Sequence, residues 1–228
     1  MTPFGSDLWL IDGPHITAAL GFHYPTRMAV ARLPEGGLWL WSPVRPDPSI
    51  FAAIEALGSP RWIVAPNTLH HVHVAAWKAQ FPKSRIAAAP GLGAPQKAVD
   101  FSIDRTLEAD LPEDWGDTFD VVTFDNRLMR ELVFFHRPSG TAIFTDMLQN
   151  MPPDWYRGWR RVVARLDRMT EPEPTVPRKF RMGFRDKTAL RGAVARVQGW
   201  PVERVLMAHG TPVAARGGAV IRRAFGWV

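Results

Sequence analysis

The chain has 228 residues, 46% of them hydrophobic and 22% charged, with 28 Lys+Arg against 22 Asp+Glu and a formal charge of +6. This balance is that of a globular protein able to bury a core, not of a disordered or fibrous chain. Cysteine is absent, which excludes disulfides, thiolate metal sites, iron–sulfur clusters and cysteine nucleophiles, so any metal must be held by His, Asp, Glu or backbone.

No run approaches the roughly 18 consecutive apolar residues of a membrane span, and residues 1–13 lack a basic segment followed by an apolar one. The expectation is one domain over residues 1–228, cytoplasmic and with no membrane partner. The positive charge is local. Residues 151–200 carry twelve basic and five acidic side chains, more than the whole net charge.

In chain order, Met28–Leu33 and Gly37–Ser42 flank Pro34-Glu-Gly36 and predict a β-hairpin. Pro48–Leu57 predicts a helix with Ile50, Ile54 and Leu57 on one face, stopped by Gly58-Ser-Pro60. Arg61–Ala65 is a short apolar strand ended by Pro66-Asn67. A loop then runs into a helix carrying Val74, Trp77 and Phe81. Ser84–Pro90 predicts another buried strand, and 91–97 is turn-rich.

Phe119–Phe124 predicts a strand. Glu131–His136 and Thr141–Asp146 predict a second hairpin around Arg137-Pro-Ser-Gly140. Trp155–Leu166 has a helical period with Trp159, Val162, Val163 and Leu166 on one stripe, read as a core face with the arginines in water. Thr188–Gln198 is a second helical pattern, Pro201–Ala208 is strand-like, and Ala219–Ala224 suits either a helix or a strand. Strands alternating with helices indicate the α/β class.

Seven histidines are present, three of them at His70, His71 and His73. His71 and His73 are two apart, and in extended backbone that spacing points both imidazoles the same way, as two ligands of one ion require. The same residues would also serve in a wet loop or at a helix start. Asp146 and His209 each end an apolar strand-like run, and strand ends are where ligand sites collect in α/β proteins. If Pro138–Gly140 is the hairpin turn, residues whose numbers sum to about 277 face each other, which puts Glu131 across from Asp146 as a ligand, a general base or an edge carboxylate. The same count leaves His136 at the far, turn end, outside any such site. His70 is read as a solvent-facing loop residue. Asn67 is read as a cap of the following helix, with a hydrogen bond to a ligand histidine as the alternative.

These positions, from Ala65-Pro66-Asn67 to His73, then Glu131 to Gly140, Thr145-Asp146 and Met207-Ala-His-Gly-Thr-Pro212, resemble the metallo-β-lactamase fold superfamily, and more closely the DUF4336 family. The resemblance spans roughly residues 15–215. It implies a four-layer αββα sandwich with mixed sheets and metal at one edge, in proteins that attack esters, lactams, thioesters or phosphodiesters. Carried over by position, His71 and His73 match the first two histidines of an HxHxDH signature, while Ala75 and Ala76 stand where its Asp and last His would be. Asp146 matches the bridging carboxylate and His209 the last histidine. A further histidine expected near Arg127 is missing.

Two methyl groups in place of two ligands argue against a dinuclear centre. The reading is therefore a metal-dependent hydrolase-like protein with a reduced, mononuclear site of His71, His73, Asp146 and His209. Asp146 and Glu131 are its catalytic carboxylates, with one divalent metal, zinc first and iron or manganese as alternatives. Its partner is a small-molecule substrate that the arginines between 157 and 196 would steer if anionic. Nucleic-acid binding through that segment is set aside in favour of an amphipathic helix. The alternative is a catalytically inactive relative kept for a structural or partner-binding role.

Overall fold

The computed structural model describes every residue except 96, 97, 109 and 171. Of the turn-rich stretch 91–97, Gln96 and Lys97 lie outside the described residues. Eleven strands and six α-helices are described. The first sheet has seven strands in sequence order: β1 (Thr2–Gly5), β2 (Leu8–Thr17), β3 (His23–Arg32), β4 (Leu38–Trp41), β5 (Pro60–Ala65), β6 (Arg85–Ala88) and β7 (Arg105–Thr106). The second has four: β8 (Phe119–Asn126), β9 (Met129–His136), β10 (Thr141–Phe144) and β11 (Arg204–Met207), in the order β11-β10-β9-β8. Both are mixed, because β4–β7 run parallel after an antiparallel start and β11 pairs parallel with β10.

Period-2 alternation sorts the strand residues into layers. Trp39, Trp41, Trp62 and Val64 meet Leu132, Phe134 and Leu206 between the sheets. Their sequence neighbours Leu38, Leu40, Ile63 and Ala65 face outward, under α1 (Pro48–Leu57) and α2 (Val74–Gln80). On the other side Val133, Phe135, Val205 and Met207 pack against α4 (Arg178–Gly183), α5 (Lys187–Gly199) and α6 (Gly217–Ala224). The result is the αββα sandwich, with each sheet buried on both faces.

Local signals act as the sequence suggests. Asp47 caps α1 by accepting from the Ser49 amide, with Pro48 in the first turn, and Asp186 caps α5 through Thr188 and Ala189. Both hairpins form. In the second, Thr141 faces His136, Ala142 faces Phe135 and Ile143 faces Phe134, the register expected from the turn. Ala219–Ala224 falls within helix α6.

One reading is overturned. In α3 (Gly158–Leu166) the apolar stripe does not enter the core: Trp159, Val162, Val163 and Leu166 are 51, 58, 41 and 60% exposed, and Ala164 is the helix's buried residue. Periodicity shows that a helix has an apolar face but not what that face meets.

His136 ends β9 at the turn, as expected, and is fully buried. Its Nδ1 donates to Ser139 Oγ (2.7 Å), which itself donates to Thr141, and its Nε2 has no partner among the described residues. Burial pushes the imidazole down from 6.5 to about 4, because a charged ring would need an acceptor at Nε2. The unfolded chain therefore takes up this proton near pH 6.5 and the folded chain only near pH 4. Stability from this group is full above pH 6.5 and declines by about 3 kcal/mol as the pH falls to 4. Urea denaturation at several pH values should show this slope, and His136→Phe should flatten it; an unchanged slope would contradict the assignment.

Candidate metal centre

Three strand ends meet at one edge of the sandwich. β5 delivers Pro66-Asn67, β10 delivers Thr145-Asp146, and β11 delivers Ala208-His209. The sheets touch here: Asn67 pairs with Glu131 in an isolated bridge, and the Leu132 amide donates to Pro66 O (2.8 Å).

His70, Asp146 and His209 converge at this edge. Their candidate ligand atoms all lie within 4.8 Å of one another. His70 Nε2 is 3.3 Å from Asp146 Oδ2 and 3.3 Å from His209 Nε2, and His209 Nε2 is 3.2 Å from Asp146 Oδ1. Two ligands about 2.0–2.1 Å from one tetrahedral ion stand about 3.3 Å apart, the separation of the two Nε2 atoms, while each imidazole approaches a different Asp146 oxygen. The electrostatics agree. His209 Nδ1 contacts Pro25 O at 2.7 Å, and a carbonyl only accepts, so Nδ1 carries the proton and the Nε2 lone pair faces a carboxylate. Lone pair against carboxylate at 3.2 Å calls for a cation between them, either a proton or a metal ion. The residues present therefore fit a divalent ion.

The supports come from several elements. His70 Nδ1 is 2.7 Å from Ser42 Oγ, and Ser42 sits just after β4 with a left-handed φ of 51°. Asn67 does not cap α2, which begins at Val74 without a side-chain cap; it closes the turn before the helix and ties it to Asp146. Its Oδ1 accepts from the Leu69 and His70 amides, each at 2.8 Å, and its Nδ2 donates to Asp146 Oδ2 at 2.8 Å. Gly210 has φ +101°, and a Cβ there would run into the Asn150 carbonyl, so the turn behind His209 requires glycine. Arg27 Nη1 donates to Met207 O and Gly210 O, at 3.1 and 2.6 Å, while its Nε donates to Asp12. Sequence reasoning missed Ser42 and Arg27, since neither lies in a motif.

Burial alone would raise the Asp146 carboxyl, but His70 and His209 outweigh it and hold the group well below the ordinary carboxylate value. Glu131 lies at the same strand end, as the register requires, and is fully buried. Its Oε1 accepts from the Thr145 amide (2.8 Å), and its Oε2 from the Asp146 and Met147 amides (both 2.9 Å). Burial, then the charge of Asp146, push it up to about 8 against the lowering effect of those three amides. With both oxygens committed to backbone, Glu131 shapes the loop that carries Asp146. It stands outside the converging group and is buried, not the exposed edge carboxylate anticipated.

The pair His71 and His73 is also placed differently from expectation. Residues 70–73 form a turn rather than extended chain. In a helical turn, residues two apart point to nearly opposite sides, so His70 reaches Asp146 and His209 while His71 and His73 stay outside their group. His73 precedes α2 and lines the adjoining cavity; burial, then the charge of Arg45, lower its pKa. Ala75 and Ala76 lie in α2, and Arg127 is exposed after β8.

The triad faces a cavity of about 360 Å³. Ile16, Val44, Leu69, Val72 and Phe180 make its walls largely apolar, while Tyr24, Gln149 and Lys179 are polar positions.

The family described as domain of unknown function DUF4336 matches residues 7–157. No curated protein matches the sequence. Among solved structures, the metallo-β-lactamase FIM-1 from Pseudomonas aeruginosa in its mono-zinc form is 15% identical, with a TM-score of 0.62, covering 98% of this chain and 92% of its own. A metallo-β-lactamase from Pontibacter korlensis is 12% identical, with a TM-score of 0.62 and coverage of 99 and 96%. A metal-soaked flavodiiron core from Synechocystis is 11% identical, with a TM-score of 0.61 and coverage of 99 and 59%. At these identities the likeness is one of fold.

At pH 9, above the Glu131 pKa of about 8, the side chain is a carboxylate, and replacing it with an amide leaves at least one of three buried backbone N–H groups facing an NH₂. Glu131→Gln should therefore cost roughly 2–4 kcal/mol in urea denaturation; a cost below about 0.5 kcal/mol would contradict the role assigned to this carboxylate.

Proposed function

We propose a mononuclear metal-dependent hydrolase acting on a small molecule for this chain, which belongs to the DUF4336 family and which we read as one domain over residues 1–228. His70, Asp146 and His209 hold the ion, zinc first and iron or manganese as alternatives. The observation that carries this reading is the His209 lone pair aimed at the Asp146 carboxylate beside an apolar cavity. Two imidazoles and one carboxylate leave a coordination position open, as catalytic rather than structural sites do. A divalent ion in such a site polarises a carbonyl or phosphoryl oxygen and lowers the pKa of a water molecule toward ~7.

The chain's own groups supply the rest. Asn67 holds Asp146 through Oδ2, and the Pro25 and Ser42 contacts fix both ring orientations, so the donors are set before an ion arrives. The apolar walls exclude water around a bound substrate and strengthen its polar contacts. His73, on the cavity wall outside the triad, is kept neutral at pH 7 and can accept a proton released in the attack, alongside Asp146. Lys179 on the same wall gives an anionic substrate a counter-charge, although Asp167 at 3.3 Å shares it.

The alternative of an inactive relative has Ala75, Ala76 and Arg127 in its favour, three positions without a ligand. These remove a second metal but leave the His70/Asp146/His209 group whole.

Elemental analysis of protein produced with zinc, iron and manganese supplied should find close to one ion per chain. Asp146→Ala and His70→Ala should lower occupancy at least ten-fold, whereas His71→Ala retains it. A metal-free protein, or loss of metal only in His71→Ala, would overturn the assignment. Among ester, lactone, thioester and phosphodiester substrates, activity should disappear in Asp146→Ala. In His73→Gln it should fall with metal content unchanged. Loaded protein that hydrolyses none of these classes would favour the inactive reading.

A further inference from the structure

Helix α3 carries its apolar stripe on the outside. At about 100° per residue, Trp159, Val162, Val163 and Leu166 fall within an arc of about 100°, and Ala164 lies about 150° from its centre. Ala164 is fully buried, so the stripe points almost directly away from the protein body, and its four members are 41–60% exposed. Arg160 and Arg165 flank the stripe on either side, with Arg157 and Arg161 also on this helix or at its start. Of the acids near the helix, Asp167 is engaged by Lys179 at 3.3 Å, while Asp154 shares a hollow with Arg157 and Arg160 and offsets one of the four charges.

A second apolar projection stands beside it. Leu20 is 75% exposed at the tip of the β2–β3 connection, with φ +57°, and its carbonyl accepts from Arg160 Nε at 2.9 Å. Leucine and helix thus form one patch, half covered at Trp159 by Phe22 and Arg160 and open at Val162, Leu166 and Leu20. Soluble proteins seldom expose such a patch without a use for it.

We infer that α3 and Leu20 seat the protein on an anionic lipid surface, the helix lying along the headgroup boundary with its aliphatic face down and its arginines against phosphates. Three features select this occupant. The surface is a convex helix, whereas peptide partners are usually taken up in grooves. An apolar face bordered by arginines, with a tryptophan at one end, is the composition of helices that lie in a membrane interface. A second copy of the chain would bring two arginine-rich faces together, while an anionic bilayer meets them with opposite charge. No described helix is long and apolar enough to cross a membrane; the contact inferred lies on the surface and departs from the expectation of no membrane partner. Ala18, two residues before Leu20, lines the cavity, so seating brings the cavity's mouth alongside the lipid.

Co-sedimentation of the full chain with phosphatidylcholine vesicles, with and without 30% phosphatidylserine, tests this. Binding should be at least ten-fold tighter to the anionic vesicles and should weaken as salt rises. Val162→Ser with Leu166→Ser should lower it roughly ten-fold or more with an unchanged thermal midpoint, since both side chains are exposed. If that variant proves unstable, Arg165→Glu serves instead. Each lost arginine should weaken binding by about five-fold, and charge reversal by more. Failure to bind anionic vesicles, or binding indifferent to both variants, overturns the inference. So does a dimer in analytical ultracentrifugation that the serine variant dissolves, which would assign the face to a second copy.

Discussion

The site depends on one buried carboxylate that takes no part in it. Glu131 gathers the amides of Thr145, Asp146 and Met147 at the end of β10. With no side-chain acceptor there, three buried N–H groups would lack partners and the loop would have no fixed path. The strand that carries Glu131 also reaches the first sheet, through Leu132 to Pro66 and through the Asn67 bridge. One residue further along, the Asn67 side chain binds both the His70 amide and the Asp146 carboxylate. Two ligand-bearing segments from different sheets are thus tied by a single amide side chain, itself held by the strand Glu131 starts to pair.

This arrangement does not depend on the ligands that a two-metal centre would need. Ala75 and Ala76 sit in α2, beyond the turn, and nothing in the seam depends on them. The parts that set the geometry are the Glu131 clasp, the Asn67 bridge and the glycine turn at Gly210. They position His70, Asp146 and His209, and they would do so equally for a proton or for a metal ion. The cavity beside the triad leaves the room that a catalytic site needs, whereas a structural ion would be enclosed on all four sides.

Much of the fold was legible because its signals are local. The Pro34–Gly36 and Pro138–Gly140 turns fix two hairpins, and the second turn fixes the register that brings Glu131 to the Asp146 end. Asp146 and His209 stood out at strand ends taken together with the histidine cluster and the family resemblance. β1 and β2 went unread because Asp12-Gly-Pro-His15 interrupts the alternation that marks a strand, even though β2 and β3 pair over most of their length. The choice among His70, His71 and His73 needed the conformation of the turn, which spacing does not encode: extended chain selects the i,i+2 pair, a helical turn selects one. The direction of the α3 stripe was hidden for a related reason, since a period shows that a face exists but not which neighbour it has.

The central claim is that His70, Asp146 and His209 share one ion. A crystal structure of metal-loaded protein, with anomalous scattering recorded on both sides of the zinc edge, tests it most directly. The account predicts one peak at about 2.0–2.2 Å from both Nε2 atoms and an Asp146 oxygen. A peak beside His71 and His73, a pair of peaks, or none at this edge of the sandwich would contradict it.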